Sequence, residues 1–178
     1  MGTTHGSGKM IKLSGAIVGL GRMGLTHLAI LNTHPAVGEL SVVDSSPLLG
    51  KIVGKQLGLK YFDNTGELFE RARPDFLIVA TPTISHSEIA RAAIGKGIHV
   101  FVEKPLSLSA TESASLAQLA ASRGVVGQVG YVNRFNEIFQ VVRDLIRSGD
   151  VGFVTHVSCE IRSPTVLKAS ESGWRSKA

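Results

Sequence analysis

The sequence predicts an α/β fold, a doubly wound parallel sheet followed by the start of a second α+β domain. Three observations predict it. Short apolar runs rich in β-branched residues recur along the 178 residues. Segments of helical period separate the runs. A glycine-rich loop joins the first run to the first helical segment. Runs that are apolar without strict alternation are what strands buried on both faces require. Strand–helix–strand repeats place those strands in one parallel sheet with helices on both sides.

The first ten residues are rich in Gly, Thr and Ser, with no apolar stretch of signal-peptide type, and are expected to be a flexible leader. A complete α/β domain is expected over residues 11–130, and a linking helix with the start of a further domain over 131–178. The expected strands are Ala16–Val18, Leu40–Val43, Phe76–Ala80, Ile98–Val102 and Val125–Val129. The first helix is expected to run to about His34, ahead of Pro35. Ser85 with Glu88, and Ser109 with Glu112, have capping-box spacing ahead of apolar helical stripes. Gly95, Gly97 and Gly124 supply helix stops. Phe135, Ile138, Phe139, Val142, Leu145 and Ile146 fall on one stripe of a later helix. Ser148–Gly152 reads as a turn, and Phe153–Arg162 has strand character.

Composition excludes several classes. The 43% hydrophobic and 19% charged content is that of a globular protein. No apolar run is long enough to span a bilayer, so no membrane partner is expected. The 19 Lys and Arg give a net charge of +5, but they are scattered and not interleaved with aromatics. Nucleic acid is therefore not an expected partner, and attraction to an anionic small molecule explains the charge. The single cysteine, Cys159, forms no internal disulfide and is expected to be a small buried apolar residue. A cytoplasmic location is expected, with no metal site. A homo-oligomer is compatible with the sequence.

Gly19-Leu20-Gly21-Arg22-Met23-Gly24 is a GxGxxG loop between the first strand and first helix. Gly19 permits a tight turn, Gly21 lets a pyrophosphate approach the backbone, and Gly24 lets the helix pack close to the sheet. Phosphates are favoured at that helix N-terminus by free N–H groups and the dipole. Asp44 ends the second strand, 44 − 24 = 20 positions past the last glycine. A carboxylate there accepts hydrogen bonds from adenosine ribose hydroxyls. The plainer alternative is a simple turn with Asp44 as a helix cap. Ser45 and Ser46 follow, not arginine, which favours NAD over NADP; NADP stays open because Lys51 and Lys55 could reach back.

Two further stretches follow strands at the carboxyl edge: Ala80-Thr81-Pro82-Thr83 with His86, and Glu103-Lys104-Pro105. Together with the glycine loop, Asp44, Gly130-Tyr131 and Asn133-Arg134-Phe135, they make the sequence resemble the Gfo/Idh/MocA oxidoreductases, from about Ile11 to Arg162. The resemblance implies a Rossmann domain and an NAD(P)-dependent oxidoreductase acting on a sugar, cyclitol or related polyol. It implies that Lys104 is catalytic, beside the nicotinamide and the substrate hydroxyl, where an ammonium holds an alkoxide-like oxygen or passes a proton. Glu103 would orient the nicotinamide ribose or Lys104, and Pro105 would fix the turn, a cis bond being one way. Ala80, Thr81 and Pro82 would pass near the adenosine side and pyrophosphate. His86 would lie near the ribose, or be a satisfied core or capping residue. Arg134 would contact cofactor or substrate, or make a surface ion pair.

Members of that family are usually about twice this long. Their second domain carries an acid followed by a histidine that often serves as acid/base. The chain is expected to end before that half is complete, and His156 lies too early to replace the histidine. The turnover of this chain alone is therefore left open. The other readings are a non-catalytic dinucleotide-sensing or regulatory module, and an NAD-assisted lyase or glycosidase.

Overall fold

The computed structural model describes residues 12–160. These divide at Tyr131 into two compact units. The first contains a six-stranded sheet of β1 (Leu13–Val18), β2 (Val37–Val43), β3 (Lys60–Phe62), β4 (Phe76–Val79), β5 (His99–Val102) and β6 (Gly127–Val129). The spatial order is β3-β2-β1-β4-β5-β6. Every pairing is parallel. The helices between them are α1 (Arg22–Leu31), α2 (Pro47–Leu57), α3 (Thr65–Arg71), α4 (His86–Gly95) and α5 (Ala110–Arg123). This is the doubly wound Rossmann arrangement, and strand order reverses between β1 and β4.

Alternation along each strand feeds two cores. Ile17, Val42 and Ile78 face one side and pack with Leu20 and Leu28. Ala16, Val18, Val43, Leu77, Val79, Val100 and Val102 face the other, against Leu68 and Phe69 of α3, Ala90, Ala93 and Ile94 of α4, and Leu116 and Ala120 of α5. A strand buried on both faces must be apolar at every position, which is why these runs were legible.

Several details differ from expectation. β3, α2 and α3 emerge where the sequence carried no clear signal. The first helix ends at Leu31 and turns to His34 (His34 N–H to Leu31 O, 3.1 Å). Ser85 does not cap α4: residues Thr83–Ser85 form a 3-10 turn, and the Ser85 hydroxyl is spent on Thr81 Oγ1 (2.8 Å) and Pro82 O (2.9 Å). Ser109 does cap α5, accepting from the Glu112 N–H. Gly95 is the last residue of α4, and Gly97 at φ +78° makes the turn.

The second unit holds a 3-10 turn (Val132–Phe135) and α6 (Glu137–Ser148). Asn136 caps α6 by accepting from Ile138 N–H (3.0 Å), and Gly149 at φ +83° ends it. The predicted strand Phe153–Arg162 is not formed over its described part, Phe153–Glu160, which has no regular structure. A strand needs a neighbour for its backbone groups, and none lies beside it among the described residues of that unit. Cys159 is exposed, not buried, because no packed layer surrounds it there. The predicted leader lies outside the described residues.

Candidate functional site

Register brings the motif residues to one edge. Phe62, Val43, Val18, Val79, Val102 and Val129 are paired across the sheet at one level. The residues one step further are Asp63, Asp44, Gly19, Ala80, Glu103 and Gly130. Four of these N–H groups continue the ladder: Gly19 to Val43 O (2.8 Å), Ala80 to Val18 O (2.8 Å), Glu103 to Val79 O (2.9 Å) and Gly130 to Val102 O (2.9 Å). Segments far apart in sequence thus share the carboxyl edge, where open α/β sheets take ligands.

The glycine loop sits at the point where strand order reverses. Gly19 has φ +93°, and a Cβ on it would lie 2.8 Å from the Ala80 carbonyl. Gly24 is buried, and a Cβ there would overlap the Gly19 carbonyl oxygen. Gly21 is different: nothing of the protein lies within 4 Å of a Cβ built on it. It is the N-cap of α1, with no side-chain cap. The first intrahelical bond runs from Leu25 N–H to Gly21 O (2.9 Å). The N–H groups of Arg22, Met23 and Gly24 therefore precede the ladder, beside the open face of Gly21. Arg22 and Met23 are exposed, whereas the Leu20 side chain is fully buried. An uncapped helix end with a cleared approach suits a pyrophosphate.

Asp44 does more than end β2. Its Oδ2 accepts from the Leu20 N–H at 2.6 Å and its Oδ1 from the Ser46 N–H at 2.7 Å. The carboxylate thus ties the glycine loop to the β2 corner, while Ser46, not Asp44, caps α2. Ser45 is exposed at the same corner. Beside it the Tyr61 hydroxyl donates to Asp63 Oδ1 (2.8 Å) and lies 3.3 Å from the Asp44 carbonyl. Burial, and then the Asp63 hydrogen bond, push the Tyr61 hydroxyl up from 10.0 to about 12. The neutral phenol is favoured in the fold, so its contribution to stability is present below pH 10 and is lost as pH rises through about 12. An alkaline ultraviolet titration should show one tyrosine ionising near 12, and Tyr61→Phe should remove that step.

Ala80 and Thr81 are half-buried, and Pro82 is exposed. Of the two expectations for His86, the geometry matches the satisfied core residue and not a position open to the ribose. His86 is 1% exposed, and its Nδ1 and Nε2 lie 2.8 Å from Pro105 O and Thr81 O respectively. Both ring nitrogens face protein carbonyls, so the ring is not free to meet a ribose; it straps two edge loops together. A neutral imidazole donates to only one of these carbonyls at a time.

Glu103 is held by His27 of α1, Nε2 to Oε1 at 2.8 Å. His27 was not singled out from the sequence. Its signal is its spacing, three residues past buried Gly24, which puts it on the helix face that meets the sheet. Lys104 is exposed, and among the described residues no carboxylate pairs with it. The Lys104–Pro105 peptide is cis. Arg134 belongs to the second unit, where its carbonyl accepts from Gln140 Nε2 (3.3 Å) and its guanidinium makes no ion pair among the described residues. A cavity of about 580 Å³ lies at the opposite, amino edge between Arg73, Asp75, Lys96 and His99, and contains none of the motif residues. Among the described residues no cluster of His, Cys, Asp and Glu has metal-site form, and no helix is long and apolar enough to cross a membrane.

Comparison with known proteins points to an NAD-binding family. Residues 13–131 match the family described as "Oxidoreductase family, NAD-binding Rossmann fold". The chain is 34% identical over 140 residues to scyllo-inositol 2-dehydrogenase (NAD(+)) of Bacillus subtilis (strain 168), covering 77% of this chain and 41% of that protein. The crystal structure of scyllo-inositol dehydrogenase from Lactobacillus casei, with bound NAD(H) and scyllo-inositol, matches with a TM-score of 0.72 at 25% identity, over 81% of this chain and 43% of that one. GenD2 from gentamicin A biosynthesis, solved in complex with NAD, matches with a TM-score of 0.72 at 31% identity, over 84% and 43%. The chain spans about two fifths of the length of the curated relative it matches.

Proposed function

The chain belongs to the Gfo/Idh/MocA oxidoreductases, the family of NAD-binding Rossmann fold matched over residues 13–131, and from that premise we propose that it is the cofactor-binding part of a dehydrogenase acting on a sugar, cyclitol or related polyol. The observation that carries this is the single row at the carboxyl edge, which joins the glycine loop, Asp44, the Ala80-Thr81-Pro82 loop and Glu103-Lys104. The bound nicotinamide would supply the hydride acceptor. The protein's own groups do the rest. The N–H groups at the start of α1 hold the pyrophosphate, with Gly21 giving the room. Asp44 and Ser45 receive the adenosine ribose. Glu103 orients the nicotinamide end, and Lys104 handles the proton of the reacting hydroxyl. Arg134 is assigned to cofactor or substrate contact by family likeness alone. The cyclitol class is supported by the inositol dehydrogenases among the relatives. A cytoplasmic location fits a chain with one cysteine and a nicotinamide cofactor.

Lys104 gives the direct test of the reaction. NAD reduction by the native gene product should be measured with scyllo-inositol, myo-inositol and glucose. Lys104→Ala should lower kcat by about a hundredfold or more, in the range of a lost proton-transfer group, with little change in NAD affinity. Full activity in that variant would remove Lys104 from the reaction.

Asp44 gives the test of cofactor choice. Its carboxylate would meet a 2′-phosphate with like charge, so NAD is preferred over NADP. Asp44→Ala should weaken NAD by about 1–3 kcal/mol, the value of a hydrogen bond to a charged group, and should narrow the preference against NADP. Calorimetry with both dinucleotides checks it; tighter NADP binding by the wild type would contradict this role.

A further inference from the structure

Glu103 has two carboxylate oxygens in different situations. Oε1 is taken by His27 Nε2 at 2.8 Å. Oε2 faces Gly130, where a Cβ would come within 3.2 Å of it, and no hydrogen bond to it is formed among the described residues. The pair is well enclosed, with side chains 21% and 13% exposed. The imidazole is itself fixed, its ring edge-on to Phe101 of β5 with centroids 5.2 Å apart and planes at 63°. Because the carboxylate can only accept, His27 must present an Nε2–H.

We propose that His27 is a positioning residue for the nicotinamide end of the site. It holds Oε1 so that Oε2 is left as an acceptor aimed at the ligand. The proposal rests on the cofactor reading above and deepens it. A glutamate side chain has three rotatable bonds, and a free one spreads over many rotamers. One charge-assisted hydrogen bond from a ring packed on Phe101 selects among them. Gly130 cooperates by clearing the space beside Oε2. The effect is to couple α1, whose first turn receives the pyrophosphate, to Glu103 and so to the neighbouring Lys104. A donor in the cofactor helix thereby organises the reacting end of the same ligand.

The test compares two probes on the purified chain, NADH and ADP. ADP carries the adenosine and pyrophosphate but nothing that reaches Glu103. His27→Phe keeps an aromatic ring against Phe101 and removes the donor. It should weaken NADH about tenfold and leave ADP within about twofold, as expected for a lost charged hydrogen bond at one end of the ligand. His27→Gln, which restores an N–H at similar reach, should recover NADH binding to within about threefold. Glu103→Ala should reproduce the His27→Phe loss, and the double variant should lose no more than either single one. Equal weakening of NADH and ADP by His27→Phe would mean a structural role in α1 and would overturn the proposal. Additive losses in the double variant, or unchanged NADH binding, would overturn it too. A wild type that binds neither probe would instead overturn the cofactor reading itself, and this proposal with it.

Discussion

Gly24→Ala should lower the melting temperature by roughly 2–8 °C, the shift that a net loss of about 1–2 kcal/mol produces in a chain of this size. Two effects oppose each other. Alanine is the better helix residue by up to about 1 kcal/mol. Against that, its methyl would overlap the Gly19 carbonyl oxygen and lie 2.9 Å from the Gly19 carbonyl carbon and 3.6 Å from Ala80 Cβ. The nearest of these atoms are backbone and cannot rotate away. α1 would have to lift off β1, and overpacking of this kind costs about 1–3 kcal/mol or more. The clash therefore wins. Gly95→Ala is the control, since nothing lies within 4 Å of a Cβ there; it should be neutral or stabilising by up to about 1 kcal/mol. Thermal denaturation of both variants decides it, and a Gly24→Ala protein as stable as the wild type would show that α1 is not held this close.

Gly21→Val should leave the fold intact and cost NAD affinity a hundredfold or more, about 2.7 kcal/mol. Gly21 has φ −66° and ψ −175°, a conformation open to any residue. Nothing of the protein lies within 4 Å of the added Cβ, so the protein itself offers no clash. The loss of a good N-cap costs the helix no more than about 1 kcal/mol. The valine would instead stand in front of the N–H groups that open α1. The same chemical change, a side chain added to a glycine of one loop, thus damages the fold at Gly24 and the ligand at Gly21. That contrast separates the scaffold from the site.

Much of this was legible because buried parallel strands write themselves plainly. All five predicted runs end within a residue of the paired level that sets the site, and the Ala16–Val18, Leu40–Val43, Ile98–Val102 and Val125–Val129 runs end on it. β3 was not legible: Lys60–Phe62 is three residues long, mixed in polarity and paired only with β2 at the edge. α2 was hidden by Gly50 and Gly54, which are poor helix residues locally but let Tyr61 pack against the helix. Ser85 and Glu88 had the right spacing for a cap, yet the 3-10 turn diverted the hydroxyl to Thr81. The motif residues themselves were legible, but their partners were not. Asp44 accepting from Leu20, His27 holding Glu103 and His86 bridging Thr81 to Pro105 each join segments whose closeness depends on sheet order. No local pattern encodes that order.

The central claim is that the carboxyl edge of this sheet is an NAD site built around Gly21. Isothermal titration of the purified chain with NAD, in parallel on wild type and Gly21→Val, tests it most directly. Wild type should bind one NAD per chain saturably, and ADP should compete. Binding should be lost in Gly21→Val while circular dichroism holds and the melting temperature falls by no more than about 2–4 °C, the effect of the lost cap. No saturable binding by the wild type, or equal affinity in the folded variant, would contradict it.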